Sequence, residues 1–295
     1  MYLDDQWKIT SWLTLSGGFR YSHFSGGVVE DATYPRVGAS VRIPKLNWVF
    51  RGFYGHFYQP PPLATLSGPL LDYITSVQQL QFVPLKGERD EEHQFGVTIP
   101  LRGWVLDADT FLTRASNYFD HNNLNNSNIF FPLNIQGARI NAWELTLRSP
   151  RIAGRGQVYV TYSNQLAQGF GGITGGLIVP DDSSQGYFLL DHDQRNTLHV
   201  GGNWSLPWRS YVATDVYYAS GFTNGNAPPG PDHLEPHTTF DLTLGKSFGE
   251  KLAISVQGIN VANRRVLLDN SNTFGGTHYI NPREIFVQVH WRFQY

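Results

Sequence analysis

The sequence predicts an all-β fold, an antiparallel transmembrane β-barrel, from three observations. Apolar and polar residues alternate through many segments of strand length, the connections alternate between short and long, and tryptophan gathers near the short ones. Alternation with a period of two sends neighbouring side chains to opposite faces of a strand. In a transmembrane barrel one face meets lipid and the other lines a polar lumen, while short turns and long loops lie on opposite sides of the membrane.

Thirteen segments have the alternating pattern of a strand. The last, IFVQVHWRFQY, alternates apolar and polar residues from Ile285 to Tyr295, so its apolar positions share one face. The segments are about 9–14 residues long, the length that a tilted strand needs to cross a bilayer. Within residues 137–148 the alternation changes phase near Asn141, which predicts a β-bulge there. The predicted strands are residues 2–9, 12–23, 35–43, 47–57, 89–99, 104–117, 137–148, 156–166, 194–205, 210–220, 237–248, 252–262 and 282–295.

The connections between these strands alternate strictly in length. The short ones are residues 10–11, 44–46, 100–103, 149–155, 206–209 and 249–251. The long ones, rich in Gly, Pro, Asn and Asp, are residues 24–34, 58–88, 118–136, 167–193, 221–236 and 263–281. A soluble sandwich has no physical reason to place every long loop at one end. Outer-membrane barrels do so, with short periplasmic turns and long extracellular loops.

Tryptophan provides an independent test of this topology. Of the eight tryptophans, only Trp143 is well inside a predicted strand. The other seven cluster at the side of the short turns, where we expect a membrane-interface belt. They are Trp7, Trp12, Trp48, Trp104, Trp204, Trp208 and Trp291.

Composition excludes several other classes of protein. The chain has 295 residues, no cysteine and a net charge of −2, so neither disulfides nor thiolate chemistry is available and nothing favours nucleic acid as a partner. The start, MYLDDQWKIT, has no basic and apolar regions of an export signal. An odd number of strands would put the two termini on opposite sides, whereas autonomous bacterial barrels have an even number. We therefore expect residues 1–295 to be part of a barrel domain whose earlier strands are missing.

Several segments, in this order, resemble the C-terminal part of a TonB-dependent outer-membrane receptor. They are YLDDQWKIT, LTLSGGFRY, FYGHFYQPP, NIQGARINAWELTL, LLDHDQRNTLHVGGNWSLP, YYASGF, VQGINVANRRV and NPREIFVQVHWRF. The stretch from DHDQR to SGF is most similar to the receptors that carry a carboxypeptidase-regulatory-like N-terminal domain. The family's barrel has about 22 strands around a plugged lumen, so the resemblance implies its last thirteen strands, without the plug domain.

The resemblance also implies a function, a location and partners. It implies energised uptake of a nutrient across the outer membrane of a Gram-negative-type bacterium, with outer-membrane lipid around the barrel. The inner-membrane TonB complex would be contacted through the missing N-terminal part. The barrel-assembly machinery would read the aromatic end of the last strand, at Trp291, Phe293 and Tyr295.

Candidate ligand contacts are aromatic and polar residues of the long loops. The ligand, a small molecule, an oligosaccharide or a peptide, is not specified by any motif. The candidates are Tyr58, Tyr73, Phe119, His121, Phe170, Tyr187, Phe222, His233 and Phe274. A second group of carboxylates falls on the polar, lumen-facing side of the strands and would hydrogen-bond a plug or line the passage. It comprises Asp107, Asp109, Glu144, Asp215 and Asp241.

No catalytic, metal or cofactor site is expected. Apart from His233 and His237, in a loop that contains Pro236, the ten histidines lack tight metal-ligand spacing, and Phe57-Tyr58-Gln59-Pro60 departs from the FRAP motif typical of haem receptors. We interpret residues 191–195 as strand residues with charge pairing at the end of the barrel. The acidic run Glu88–Glu92 is interpreted as a solvated strand start, with calcium or a cationic substrate as an open alternative.

Three other protein classes remain open at this point. The first is a passive outer-membrane pore or adhesin, a smaller barrel complete in itself. The second is an outer-membrane hydrolase, although no Ser and His pair is selected by the sequence. The third is a soluble β protein whose apolar strand faces pack against a second sheet.

Overall fold

The computed structural model describes residues 1–26, 28–62, 72, 76, 81–123, 130–178, 186–191, 193–225, 231–270 and 277–293. Over these residues the chain is built from antiparallel β-strands, as the sequence predicts. The strands are β1 (Tyr2–Lys8), β2 (Leu13–Ser25), β3 (Val29–Ile43), β4 (Trp48–Gln59), β5 (Gln81–Val83), β6 (Glu88–Leu101), β7 (Trp104–Asn123), β8 (Phe130–Arg148), β9 (Gly156–Ile178), β10 (Tyr187–Leu189), β11 (Asn196–Leu206), β12 (Ser210–Ala219), β13 (His237–Phe248), β14 (Leu252–Ile259), β15 (Leu267–Asp269), β16 (His278–Tyr279) and β17 (Glu284–Trp291).

Thirteen strands form one up-and-down sheet in chain order. Each pairs with the next, in the order β1, β2, β3, β4, β6, β7, β8, β9, β11, β12, β13, β14 and β17. These are the thirteen predicted strands. The short strands β5 and β10 pair with β9, while β15 and β16 form a separate hairpin. The sheet is open in the described residues, with β1 and β17 at its edges.

The sheet has two ends, set by the length of its connections. We name the end with the short connections the turn end, at residues 9–12, 44–47, 102–103, 149–155, 207–209 and 249–251. The opposite end is the loop end, where the connections are long except between β2 and β3. There β2 runs to Ser25 and β3 begins at Val29, so the predicted long connection at residues 24–34 is wrong. On the barrel interpretation, the ten or so residues of each strand nearest the turn end span the membrane.

Strands at the loop end are longer than predicted. β7 runs to Asn123 rather than to residue 117, and β8 begins at Phe130 rather than at residue 137. β9 reaches Ile178, twelve residues past the predicted end at 166. Backbone pairing continues there although the apolar and polar alternation that predicts the strands is lost. By contrast, β11 begins later than predicted, at Asn196 rather than at residue 194.

The predicted bulge near Asn141 is wrong. Asn141 pairs regularly with Leu166, and the irregularity of β8 lies between Asn134 and Gly137. On β7 the matching break is at Asn117, whose φ of 53° takes it out of the ladder. The phase change has another cause, because Asn141 lies on the same face as Trp143 but nearer to the loop end, where the apolar pattern fades.

The apolar sides of the strands join into one continuous face, which we name the apolar face. Leu106 is opposite Leu147, and Val256 is opposite both Leu244 and Val287. These side chains are uncovered, since Val287 is 67% exposed and Phe95, on the same face, is 68% exposed. An apolar surface of this extent marks contact with a partner or a membrane. The packed core is small and lies at the loop end, formed by Ala115, Leu133, Ile135, Ala138, Ala167 and Leu190.

Candidate functional site

All five predicted lumen carboxylates lie on one face of the sheet, opposite to the apolar face. Asp109 is directly across from Glu144, and Asp215 is directly across from Asp241. The ladder through β9 and β11 keeps both pairs on the same side, because residues directly opposite each other share a face. We name this side the polar face. That it faces a lumen stays a prediction.

Arginines neutralise the carboxylates of β7. Arg51 on β4 donates from Nη2 to both carboxylate oxygens of Asp109, at 2.9 and 3.1 Å. Arg148 on β8 places Nη1 3.2 Å from Asp107 Oδ2. Asp107 also accepts a hydrogen bond of 2.6 Å from the Thr98 hydroxyl. The result is a network of alternating charges across β4, β6, β7 and β8.

The carboxylates of β12 and β13 have different partners. Asp215 accepts a 2.6 Å hydrogen bond from the Tyr159 hydroxyl and lies 3.1 Å from Nδ1 of His199. Asp241 accepts from the backbone N–H of Asn260 at 2.8 Å. These contacts hold polar groups along the face while their side chains remain partly accessible. Such a surface suits a hydrated passage or the contact of a polar domain.

A crossing segment, residues 84–88, links two candidate ligand residues at the loop end. Tyr58 donates from its hydroxyl to Oε2 of Glu30 at 2.9 Å, and Gly87 N–H donates to the same oxygen at 3.0 Å. Glu88 accepts from the backbone N–H of Phe119 at 2.6 Å. A Cβ at Gly87 would lie 2.2 Å from the Tyr58 ring, so only glycine lets the segment pass this close. The candidate residues Tyr58 and Phe119 are therefore connected through two carboxylates.

The acidic run that opens β6 is not a solvated strand start throughout. Glu88 is buried, with 9% of its surface exposed, because residues of the loop end cover it. Burial raises the pKa of its carboxyl to about 7, against a lowering contribution from the Phe119 N–H. Burial also raises the pKa of Asp90, and its buried Oδ1 atom has no hydrogen-bond partner among the residues that the structure describes. The sequence does not predict the burial of Glu88 and Asp90, because this burial depends on loops that pack over the strand.

Asp193 organises a second group at the loop end. Its carboxylate is fully buried; Oδ1 accepts from Ala167 N–H at 2.7 Å, and Oδ2 lies 3.2 Å from Nε2 of the candidate His233. Arg195 adds an ion pair of 3.6 Å to the same oxygen. Residue 193 lies outside any strand, so the expected charge pairing is present although the predicted strand is not. Thr223 N–H donates to the Asp193 carbonyl at 2.9 Å, tying a third segment to it.

The remaining candidate ligand residues form pairs rather than a single pocket. The rings of Phe170 and Tyr187 are 5.5 Å apart between centroids, on the neighbouring strands β9 and β10. Phe222 is 6.5 Å from the ring of His237, and His121 is 5.6 Å from that of Phe130. Tyr73 and Phe274 lie outside the described residues. The role of all nine as ligand contacts stays a prediction.

The seven tryptophans of the predicted belt all lie near the turn end of the sheet. Five are on the apolar face near the turn end: Trp7, Trp48, Trp104, Trp204 and Trp291. Trp12 and Trp208 lie in the short connections themselves, and Trp208 is 84% exposed. The ring of Phe293 stacks on Trp291 at 6.2 Å, whereas Tyr295 is outside the described residues. A membrane belt and an assembly signal remain predictions for these residues.

The described ranges contain no cluster of three or more side chains suited to a metal ion. Within the same ranges there is no helix that is long and apolar enough to cross a membrane.

Two residues with structural roles at the loop end were missed by sequence reasoning. Asn134 is 1% exposed; its Oδ1 accepts from Lys86 N–H and its Nδ2 donates to the Asn117 carbonyl, both at 2.7 Å. Glu30 accepts hydrogen bonds from the Tyr58 hydroxyl and from the Gly87 N–H. Asn134 opens the segment NIQGARINAWELTL and Glu30 lies outside the segments quoted above, and both act on segments far away in the chain. No signal within their own strands distinguishes them from ordinary polar positions.

Comparison with solved structures shows the same fold in two uptake receptors and a transporter. The ferric-catecholate import receptor Fiu of E. coli K12 matches with a TM-score of 0.66 and 16% identity, over 99% of this chain and 44% of that one. The ferric yersiniabactin uptake receptor FyuA of Yersinia pestis gives 0.69 and 16%, over 99% and 45%. The copper transporter OprC gives 0.71 and 12%, over 99% and 47%.

The chain thus spans less than half the length of each of these proteins. No match was found among curated protein sequences. The resemblance to receptors with a carboxypeptidase-regulatory-like domain stays a prediction. A family model described as "TonB dependent receptor-like, beta-barrel" matches residues 1–263, which is most of the chain. The chain therefore belongs to the TonB-dependent receptor-like β-barrel family.

Proposed function

We propose that this chain forms thirteen C-terminal strands in the barrel of a receptor that takes up a scarce ligand across the outer membrane. The energy would come from the TonB complex, reached through a part of the receptor outside this chain. Membership of the family supports the proposal, together with the share of each compared receptor that the chain covers. A barrel of about 22 strands around a plug would be the complete structure.

The exposed apolar face is the observation that supports this proposal most directly. Side chains such as Phe95, Val287 and Val289 are each more than half exposed on one side of the sheet. The other side carries paired carboxylates and arginines, as Asp109 with Arg51. In lipid this arrangement satisfies both faces, because the hydrocarbon covers the apolar side and water or a plug meets the polar side. A soluble protein would need a second layer over the apolar side, and the described residues supply none.

Each end of the sheet would have its own task. The loop end would receive the ligand, through residues such as Tyr58, Phe170 and Tyr187. The polar face would form one wall of the passage, where Asp107 and Asp215 exchange hydrogen bonds with the plug as it moves. The turn end, with its tryptophans, would fix the barrel at the periplasmic interface. Receptor binding rather than turnover is proposed, because the family is one of receptors.

The test measures uptake by cells that carry the complete receptor. Three labelled probes are offered: ferric enterobactin, Cu²⁺ and a maltooligosaccharide. We expect uptake of one probe to stop when the receptor gene is deleted, and to stop equally when TonB is deleted or the proton gradient is collapsed. Uptake that continues without TonB would overturn the proposal in favour of a passive pore. Ester or lipid hydrolysis by the purified receptor would overturn the non-enzymatic assignment.

A binding measurement tests the loop end separately. In the purified complete receptor, the double substitution Phe170→Ala and Tyr187→Ala is compared with Phe248→Ala, an exposed aromatic at the turn end. We expect the loop-end variant to lower the affinity for the transported probe by about tenfold, as for loss of two aromatic contacts. The turn-end variant should bind as the unaltered receptor does. Equal affinity in all three would remove these two residues from the proposed site.

A further inference from the structure

We propose that the polar face carries a track of aromatic rings for a neutral oligosaccharide, which runs from the loop end towards the turn end. We name it the aromatic track, and it consists of Phe222, His237, Tyr217, His199, Tyr159 and Tyr211. The inference rests on the proposed uptake function and names the class of ligand that the receptor would carry.

Backbone pairing places the aromatic track on the polar face. Tyr211 and Tyr217 are each an even number of residues from Asp215 on β12, so both share its face. His199 on β11 is directly opposite Tyr217. Tyr159 on β9 reaches Asp215 with its hydroxyl, at 2.6 Å. These rings are therefore on the side of the sheet that carries the carboxylates.

The rings at the loop end follow one another closely. Between ring centroids, His199 is 4.5 Å from Tyr217, Tyr217 is 6.0 Å from His237, and His237 is 6.5 Å from Phe222. Aromatic rings at such separations are in contact or nearly so. Tyr211 lies six residues further towards the turn end than Tyr217, which corresponds to roughly 20 Å along the strand. The aromatic track thus extends along much of the polar face.

Two tyrosines of the track lie across the sheet because each is opposite a glycine. Tyr159 is paired with Gly201, and Tyr211 is paired with Gly245. A Cβ at Gly201 would be 2.5 Å from Tyr159 Oη, and a Cβ at Gly245 would be 2.2 Å from the Tyr211 ring. Any side chain at either glycine would push the tyrosine off the sheet. The two tyrosines are 37% and 40% exposed, so their rings are accessible from the polar face.

Ring faces next to hydrogen-bond acceptors suit a sugar. A pyranose ring has a face of C–H groups and a rim of hydroxyls, so it packs on an aromatic ring while its rim donates hydrogen bonds. Asp215 and Asp241, directly opposite each other, offer carboxylate oxygens beside the track. Tyr159 and His199 both contact Asp215 and hold it next to the rings. The arrangement matches the two surfaces of a sugar unit.

Two buried polar atoms at the loop end of the track need a hydroxyl group. Gln194 is 8% exposed, and its Oε1 accepts from the Tyr217 hydroxyl at 2.6 Å. Its Nε2 and Nδ1 of His237 have no hydrogen-bond partner among the described residues. Burial lowers the pKa of His237, against a hydrogen bond to the Glu235 backbone that uses the other ring nitrogen, so Nδ1 is an acceptor. A hydroxyl accepts from an amide and donates to an imidazole, and therefore satisfies both atoms.

The charge along the aromatic track favours a neutral ligand over an anion. Strands β9, β11 and β12 contain no lysine or arginine. The only lysine of β13, Lys246, is on the apolar face, opposite Ile254. An anionic ferric siderophore would therefore meet Asp215 and Asp241 without a compensating cation, and like charges brought together disfavour binding. A bare metal ion would make no use of the ring faces.

Calorimetric titration of the purified complete receptor tests the class of ligand. The probes are maltohexaose, cellohexaose and xylohexaose, with ferric enterobactin as the anionic comparison. We expect one neutral oligosaccharide to bind, and Tyr217→Leu with Phe222→Leu to lower its affinity about tenfold. Tyr217→Phe with Phe222→Tyr keeps both rings and should keep most of the affinity. The control, Phe95→Leu with Tyr218→Leu, removes exposed rings from the apolar face and should bind as the unaltered receptor does.

Uptake by cells that carry the complete receptor tests passage along the track. In the variant Tyr159→Leu with Tyr211→Leu, we expect the maximal rate of oligosaccharide uptake to fall about tenfold. The half-saturating concentration should stay the same, because both rings lie beyond the loop end where the ligand is first bound. Tyr159→Phe with Tyr211→Phe keeps the ring faces and should restore the rate.

Three results would overturn the inference. The first is that none of the neutral oligosaccharides binds, or that ferric enterobactin binds more tightly. The second is equal affinity in the unaltered receptor and the Tyr217→Leu, Phe222→Leu variant. The third is uptake without TonB that appears only in the Tyr159→Leu, Tyr211→Leu variant, which would show that these rings hold the plug.

The two proposals fail in different ways. Uptake of ferric enterobactin alone, dependent on TonB, would support the proposed function and remove the oligosaccharide. Oligosaccharide binding that depends on Tyr217, together with uptake that continues without TonB, would support the aromatic track and remove energised uptake.

Discussion

At the loop end, Glu88 carries a carboxyl group whose protonation is coupled to folding. Its pKa is raised from 4.5 to about 7 when the chain folds, because burial disfavours the charged form. The folded state therefore holds the proton over a pH range in which the unfolded state has lost it. Stability is highest below the unfolded pKa, falls as pH rises between the two values, and is level above the folded pKa.

The substitution Glu88→Gln should remove this dependence. We expect the thermal midpoint of the complete receptor to decline less between pH 4.5 and about 7 in the variant than in the unaltered protein. The difference corresponds to a few kcal/mol at most, about 3 for the full shift. Thermal unfolding in detergent across this pH range measures it. Parallel curves for the two proteins would contradict the burial of Glu88.

Asp193 offers a second test at the same scale. The change Asp193→Ala leaves the buried N–H of Ala167 without its acceptor and releases His233. An unsatisfied buried donor costs about 1–3 kcal/mol. We expect faster hydrogen exchange at Ala167 and in residues 231–234, with Asp193→Asn as the control that keeps a side-chain oxygen acceptor. Unchanged exchange in the alanine variant would mean that Asp193 does not hold these segments together.

At the scale of a strand, adjacent residues of β14 lie on opposite faces of the sheet. Val256 is on the apolar face, opposite Leu244 and Val287, while Ser255 is on the polar face, opposite Gly245 and Gln288. We expect Val256→Arg to cost about 2–4 kcal/mol because it puts a charge into the hydrocarbon. Ser255→Arg, one residue away, should cost far less. Denaturant titration of the receptor in phospholipid measures both, and equal costs would argue against lipid on the apolar face.

How far a strand could be predicted from the sequence depends on how far its apolar and polar alternation extends. The alternation from Trp104 to residue 117 predicts β7, and on the proposed placement hydrocarbon would select apolar side chains on one face only. Beyond it, β7 and β8 continue to pair out to Asn123 and Phe130 with no such selection. The same limit explains Asn141, whose polarity marks the edge of the apolar band rather than a bulge.

The candidate site was less predictable than the fold. The carboxylates of the polar face, such as Asp107, follow from the period of two and lie together as expected. Glu30 and Asn134 act through partners 57 and 48 residues away in sequence, Gly87 and Lys86, and these contacts arise only once the loops pack. Nothing in the sequence pairs the aromatic candidates Phe170 and Tyr187, because their contact depends on the unpredicted strand β10.

For the molecule as a whole, the two edges of the sheet predict hydrogen bonds to further strands. The hydrogen bonds between Met1 and Tyr21 show that odd-numbered residues of β1 face β2. The N–H groups of Tyr2, Asp4 and Lys8 therefore point away from the sheet. Each such group left unsatisfied in lipid costs several kcal/mol.

We expect the amides of Tyr2, Asp4 and Lys8 to be as slow in hydrogen exchange as those of Leu3 and Trp7. The measurement uses the complete receptor in lipid, with peptide-level mass spectrometry or NMR. Fast exchange at the even positions, with slow exchange at the odd ones, would show that β1 remains a free edge and would argue against a larger closed barrel.

In the proposed membrane placement, the extra length of β7, β8 and β9 would raise a rim above the bilayer. About ten residues of β7 lie beyond Arg114, which corresponds to roughly 20 Å along the normal. The Debye length at physiological salt is about 8 Å, so the tip of this rim is more than two screening lengths from the charged lipid surface. In that placement, a negatively charged solute would be captured at the tip of the rim without feeling the repulsion of the outer leaflet.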